Sequence, residues 1–237
     1  MNLLLFSEAD RRPDNTVVIT GRRLQHLKEV LSAQQGDSLR VGEIDGGMGL
    51  GRIVALDDQA ATLQVSLTES PPEKLPITLV LALPRPKMLR RILRTIAETG
   101  VTDLHLINSY RVEKSYWQTP VLEADTVRDY LLQGLEQARD TGLPTVTLHR
   151  RFKPFVEDTL PSLLKNRHAL LAQPGDYPLA PTDGDIDTLL VIGPEGGFIP
   201  YEVDKLEDAG CTAVSMGKRI LRVETAVTAL LGRLISR

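Results

Sequence analysis

Two glycine-rich segments near the C-terminal end carry residue types and spacing suited to chemistry. They are Ile192-Gly-Pro-Glu-Gly-Gly-Phe198 and Met216-Gly-Lys-Arg-Ile-Leu-Arg-Val-Glu-Thr-Ala226. Glycine lets backbone N–H and C=O groups approach a ligand without interference from a Cβ. Each segment follows an expected strand and precedes an expected helix, which is the carboxyl edge where open α/β sheets bind ligands. No Lys-Ser/Thr pair follows Gly197, so this is not a P-loop, and neither segment matches the dinucleotide fingerprint. Turn chemistry alone would also make 193–197 a plain strand-to-helix turn. Arg222 is the candidate for stabilising a developing anion, because its guanidinium is a fixed planar charge. Its alternative role is an ion pair with Glu224 or Glu195. Glu195 is either a base or an acceptor of backbone N–H groups at a helix start.

Stepping outward along the sequence, these segments need a sheet to hold them. Residues 75–237 read as strands alternating with longer helices, which implies a mainly parallel sheet covered on both faces. The expected strands are Thr78–Leu83, Leu104–Ile107, Thr145–Leu148, Ala169–Ala172, Leu189–Ile192 and Ala213–Ser215. Helices are expected up to Thr99 and Gly100, near 122–141, near 156–164, at 201–209, and from about Val223. Ser70-Pro-Pro-Glu-Lys-Leu-Pro76 marks a boundary, because three prolines in six residues break a strand or helix. Before it come short alternating stretches at 16–19, 38–41, 52–56 and 62–67, with one helix at 22–31, the pattern of a small β-barrel. Gly47-Met-Gly-Leu-Gly51 is expected to be a hairpin turn there.

Composition narrows the function. The single cysteine, Cys211, leaves no internal disulfide and no thiolate cluster, and the four histidines have no ligand spacing, so no metal is expected. The longest apolar runs are too short to cross a bilayer or form a signal sequence, so a cytoplasmic protein with no membrane partner is expected. A net charge of −3 argues against nonspecific coating of nucleic acid, yet the cations cluster. Arg85, Lys87, Arg90, Arg91 and Arg94 lie opposite the apolar stripe of one helix, and Arg22-Arg23 and Arg150-Arg151-Lys153 form further groups. Such clusters suit phosphate contacts, or are simply solvated faces.

Together, the two glycine segments resemble the knotted SPOUT methyltransferases, specifically the ribosomal RNA small subunit methyltransferase E family. The resemblance lies in the Ile-Gly-Pro-Glu-Gly-Gly loop at 192–197 and the stretch at 216–226, with Met216 where Leu is usual. Lys87-Met88, Glu98-Thr-Gly-Val101 and Glu136-Gln137 extend it more weakly. It implies a PUA-like β-barrel over residues 1–72 that binds RNA, and a trefoil-knotted α/β methyltransferase domain over 73–237. It further implies a homodimer that methylates N3 of a uridine in 16S ribosomal RNA, free or within the small ribosomal subunit. The cofactor would be S-adenosylmethionine, held in three groups of residues. The first is Leu171, Ala172, Gln173 and Pro174; the second is Ile192, Gly193, Pro194, Glu195, Gly196 and Gly197. The third is Met216, Gly217, Ile220, Leu221, Arg222, Thr225 and Ala226. Arg222, Glu195 and Glu224 would be the catalytic candidates. RNA would fall to Arg22, Arg23, Arg85, Lys87, Arg90, Arg91 and Arg94.

The chain departs from the family pattern at Ser32, at Arg139-Asp140, and in its short N-terminus Met-Asn-Leu-Leu-Leu-Phe6. Two other readings fit the same residues: methylation of a different ribosomal or transfer RNA site, and a noncatalytic RNA-binding protein with a vestigial knot.

Overall fold

Period-two alternation makes the strands of the N-terminal part, as in Ala61–Glu69, where Ala61, Leu63 and Val65 are buried and Gln64 and Ser66 are exposed. The computed structural model describes residues 2–182 and 187–235. Met1–Glu73 with Leu132–Leu143 form one unit, and Lys74–Leu131 with Pro144–Arg237 the other.

In the first unit, β1 (Leu4–Phe6), β2 (Thr16–Ile19), β3 (Ser38–Glu43), β4 (Met48–Leu56) and β5 (Ala61–Glu69) form a sheet in the order β1-β3-β4-β5-β2. β1 runs parallel to β3, and the other pairs are antiparallel. Helix α1 (Gly21–Glu29) adds Leu24 and Leu27 to a core of Phe6, Ile19, Val41, Ile53 and Leu63. Residues 48–51 are strand and not the expected hairpin turn. The turn is made just before them, with Asp45 at φ 60°. Glycine is needed inside the strand because a Cβ on Gly49 would lie 1.9 Å from the Ser66 carbonyl oxygen, beside a register shift in the β4–β5 pair. Such close approach is the usual reason for a strand glycine.

Arginine–carboxylate forks tie this unit together. Arg23 donates to both oxygens of Asp10 at 2.8 Å, and Arg22 to both oxygens of Glu136 at 2.9 and 3.1 Å. Burial alone would raise the Asp10 pKa, but the Arg23 guanidinium and the Ser7 N–H and hydroxyl outweigh it and hold it down at about 2.

In the second unit, β6 (Leu75–Ala82), β7 (Val101–Ile107), β8 (Thr145–His149), β9 (His168–Ala172), β10 (Thr188–Ile192) and β11 (Thr212–Val214) form a parallel sheet. Its order is β11-β9-β10-β6-β7-β8. β10 is buried at every residue, whereas the edge strand β8 has none buried, as expected for a sheet covered on both faces at its centre. Pro76 lies inside β6, although prolines there were expected to exclude a strand. The pairing with β7 skips from Leu75 to Thr78, and this irregularity accommodates the missing N–H. Helix α2 (Pro86–Thr99) buries Leu89, Ile92, Leu93 and Ile96 and ends at Gly100 in the left-handed region, φ 82°. Helix α3 (Ala124–Ala138) follows, its residues up to Leu131 counted in this unit and those from Leu132 in the first. The helix expected near 156–164 is α4 (Phe152–Pro154), a π-turn over Phe155–Thr159, and α5 (Leu160–Leu163). Helices α6 (Pro200–Asp208) and α7 (Val223–Leu234) complete the unit.

Among the described residues, no helix is long and apolar enough to cross a membrane, and no cluster of three or more metal-ligating side chains occurs. Cys211 is buried, and its thiol is pushed up to about 11, chiefly by burial and further by Glu207.

One histidine pair gives the second unit a pH dependence. His105 Nδ1 and His149 Nε2 are 3.0 Å apart, and Phe155 packs 4.8 Å from the His149 ring. One nitrogen must donate and the other accept, so both rings cannot be protonated in this contact. Burial lowers both pKa values, and His149 lowers that of His105 further. The folded-state pKa values therefore lie below the unfolded 6.5. The unfolded chain takes up more protons as pH falls through that value, so the contribution is complete above it and is lost below it. The urea midpoint is expected to drop between about pH 7.5 and about pH 5.5, and His149→Gln to flatten part of that drop. An identical slope in the variant would assign the dependence to other groups.

Candidate functional site

Strands β9, β10 and β11 are neighbours, so the loops leaving their carboxyl ends converge. Between these loops lies a pocket that is partly open to solvent. Ala172, Gln173 and Pro174 line it after β9, Ile192 to Glu195 with Gly197 and Phe198 after β10, and Met216, Gly217 and Arg219 to Leu221 after β11. Val223, Ala226 and Leu230 of α7 close one side. Of the sequence-derived cofactor residues, Gly196, Leu171, Arg222 and Thr225 do not line it. Leu171 is buried in β9, while Arg222 and Thr225 face solvent. Phe198, Val214, Arg219, Val223 and Leu230 line it and were not among those residues. Arg219 and Val223 fall inside the second motif, so their proximity was the available signal. Nothing local marks Leu230.

The lining suits a molecule with one flat apolar part and one polar part. Ile192, Phe198, Val214, Leu221 and Leu230 supply apolar walls, while the loops supply backbone groups and Gln173. The Gln173 Nε2 is buried and has no hydrogen-bond partner among the described residues. Gln173 also lines the pocket, and an orphaned buried amide, which costs about 1–3 kcal/mol, is a donor that a bound ligand could satisfy. Gly197 and Gly217 take φ of 72° and 91°, where side chains are strained.

The Gly193–Gly197 loop is held from two sides. The Glu195 carboxylate accepts the Arg85 N–H at 3.0 Å, at the N-cap of α2. This places a negative charge at a helix start, the arrangement expected of a carboxylate that anchors a loop. On the other side the Arg111 guanidinium donates to the Gly196 carbonyl. A Cβ on Gly196 would meet Arg111 Cδ at 2.9 Å and not the pocket.

Arg222 is the N-cap residue of α7, exposed, between the lining residues Leu221 and Val223. Among the described residues it makes no ion pair with Glu195 or Glu224, so the bracing role considered for it is not formed. Glu224 is half-buried in the first turn of α7 and lies outside the pocket lining.

The cations of α2 divide by environment. Lys87, Arg90 and Arg91 are exposed, while Arg94 lies over the Tyr130 ring at 4.7 Å. Arg85 is exposed, and its pKa is raised foremost by the Tyr116 hydroxyl. In the first unit, Arg22 and Arg23 are engaged by Glu136 and Asp10, the Arg22 side chain remaining 51% exposed.

Comparison with known proteins places this geometry. Residues 71–235 match the model of an RNA methyltransferase domain. The chain is 32% identical to ribosomal RNA small subunit methyltransferase E of Treponema pallidum, an alignment covering 97% of this chain and 88% of that one. It is 33% identical to the protein of that name from Synechocystis, over 92% of this chain and 72% of that one. In fold it resembles a ribosomal RNA small subunit methyltransferase E from Neisseria gonorrhoeae solved bound to S-adenosyl methionine. The TM-score is 0.77 at 20% identity, covering 98% of this chain and 95% of that one.

Proposed function

The chain belongs to the ribosomal RNA small subunit methyltransferase E family, and from that premise we propose that it methylates N3 of a specific uridine in 16S ribosomal RNA. It is an S-adenosylmethionine-dependent RNA methyltransferase. The observation that carries this reading is the pocket at the ends of β9, β10 and β11, with apolar walls, glycine loops and the unpartnered Gln173 amide.

When bound, S-adenosylmethionine supplies an electrophilic methyl group on a cationic sulfur. The protein's task is then alignment more than activation. Gln173 and the backbone of 193–195, 197 and 216–217 would hold the cofactor's polar groups, and the aliphatic lining its apolar surface. The protonated N3 of uridine is a poor nucleophile, so its proton must leave or the resulting anion must be stabilised. Arg222, exposed beside the lining and without an acidic partner among the described residues, is suited to holding that negative charge on the uracil carbonyls. Glu195 is occupied at the start of α2 and acts by fixing the loop; Glu224 contributes through the first turn of α7.

The first unit, residues 1–73 with 132–143 and not 1–72 alone, holds an RNA-binding PUA-like barrel, and the second unit is a knotted SPOUT domain. Support for the knot comes from the strand order and from Ser215, which bonds to Pro178 and Ala180, while Arg233 of α7 donates to the Ala180 carbonyl. The protein works as a cytoplasmic homodimer on the small ribosomal subunit. Val223, Val227, Leu230 and Leu234 are buried within the second unit and leave no stripe for a partner. The exposed Ile220 and Leu179 are better candidates for the dimer surface.

The exposed face of α2, with Lys87, Arg90 and Arg91, contacts RNA phosphates. Arg90→Glu with Arg91→Glu should weaken RNA binding and reduce the slope of log affinity against log salt by about 1–2, because fewer counterions are released. Cofactor affinity should not change. Binding isotherms across a salt series test this, and an unaltered slope would make the face mere solvated surface.

A further inference from the structure

A second cleft in this unit, of about 1110 Å³ and partly open to solvent, belongs to neither glycine motif. Four aromatic residues line it, Tyr110, Trp117, Phe152 and Tyr201, in a chain where aromatics make up only 4%. Tyr110 is 79% exposed and Tyr201 50%, an unusual outlay of aromatic surface for packing alone. Trp117 is fixed by its Nε1–H to Asn108 Oδ1 at 2.9 Å, and the Arg150 guanidinium lies 5.2 Å over its ring.

Lys114, Arg150 and Lys153 make the cleft cationic, Lys153 also lying 3.6 Å from the exposed Glu157 carboxylate. Its one acid, Glu202, is buried and turned to structural use. The Glu202 carboxylate accepts the Tyr110 and Ile199 N–H groups at 2.8 and 3.1 Å and the Ser109 hydroxyl at 3.2 Å. It therefore shapes the cleft without opposing an anion in it.

The cleft also shares a wall with the cofactor pocket. Phe198 lines the pocket while Ile199, the next residue, lines the cleft. The Phe152 ring of the cleft stands 6.3 Å from that of Phe198. Methyl donor and cleft occupant would thus lie on opposite sides of one loop.

We propose that this cleft binds single-stranded RNA flanking the acceptor nucleotide. Bases stack on Tyr110 and on the Trp117–Arg150 layer, and Lys114 and Lys153 meet the phosphates. Aromatic faces interleaved with cations are the general means of gripping a single strand. The proposal rests on the reading of the chain as an RNA methyltransferase.

Trp117 is the sole tryptophan, so its fluorescence reports on the cleft. The full chain, saturated with S-adenosylhomocysteine, is titrated with a short unstructured oligouridylate. Quenching is expected, and Tyr110→Ala with Lys153→Ala should weaken binding at least about tenfold. Both side chains are exposed, so the fold should survive, and S-adenosylhomocysteine affinity by calorimetry should be unchanged. No quenching, equal affinity in the double variant, or equal binding of a duplex would overturn the proposal. Methyl transfer by the unaltered chain to 16S ribosomal RNA is measured separately. Transfer without any oligonucleotide effect removes the cleft and leaves the function; oligonucleotide binding without transfer does the reverse.

Discussion

Replacing Ala226 with Phe is expected to weaken S-adenosylmethionine binding at least about hundredfold, a loss of roughly 3 kcal/mol. Ala226 lines the pocket on the first turn of α7, where its N–H is bonded to the Arg222 carbonyl at 2.8 Å. The helix backbone is therefore fixed, and a benzyl group must occupy the space the cofactor needs. Since that space is connected to solvent, filling it should leave the thermal midpoint nearly unchanged. Calorimetry beside a melting curve separates the two effects. Unchanged affinity in a folded variant would place the cofactor elsewhere. Gly196→Val is a weaker test, because its side chain would displace the Arg111 side chain and not enter the pocket.

Arg222→Ala is expected to lower the single-turnover methylation rate by about 10²–10³-fold, the usual effect of deleting one donor to a developing anion. Affinity for S-adenosylmethionine should be retained, since the Arg222 side chain does not line the pocket. Its exposure and lack of an ion pair make a stability loss small. A normal rate in the variant would show that another group manages the uridine charge.

Much of this architecture was legible because local chemistry and burial agree. Period-two and period-3.6 patterns located the strands and helices of both units, and Gly100 ended α2 where the left-handed cap requires it. The two glycine motifs identified the loops that meet at the pocket. Misreadings arose where one residue type serves two structural ends. Glycines 49 and 51 looked like a turn, but they admit the close approach of Ser66 and of the Val41 side chain, 2.6 Å from a Cβ on Gly51. Arg22 and Arg23 looked like surface cations, but Glu136, distant in sequence, and Asp10 take up their guanidiniums. Long-range partners of this kind leave no trace in spacing. The same is true of Leu230 in the pocket wall and of the His105–His149 contact.

Uridine methylation is read out by methyl transfer from labelled S-adenosylmethionine to small subunits isolated from a strain lacking this gene. The nucleosides of the 16S ribosomal RNA are then separated by mass spectrometry. Label is expected in a single 3-methyluridine, absent with the Ala226→Phe enzyme and strongly slowed with Arg222→Ala. Label in another nucleoside or another RNA, or no transfer by a folded, cofactor-binding chain, would contradict the proposed function.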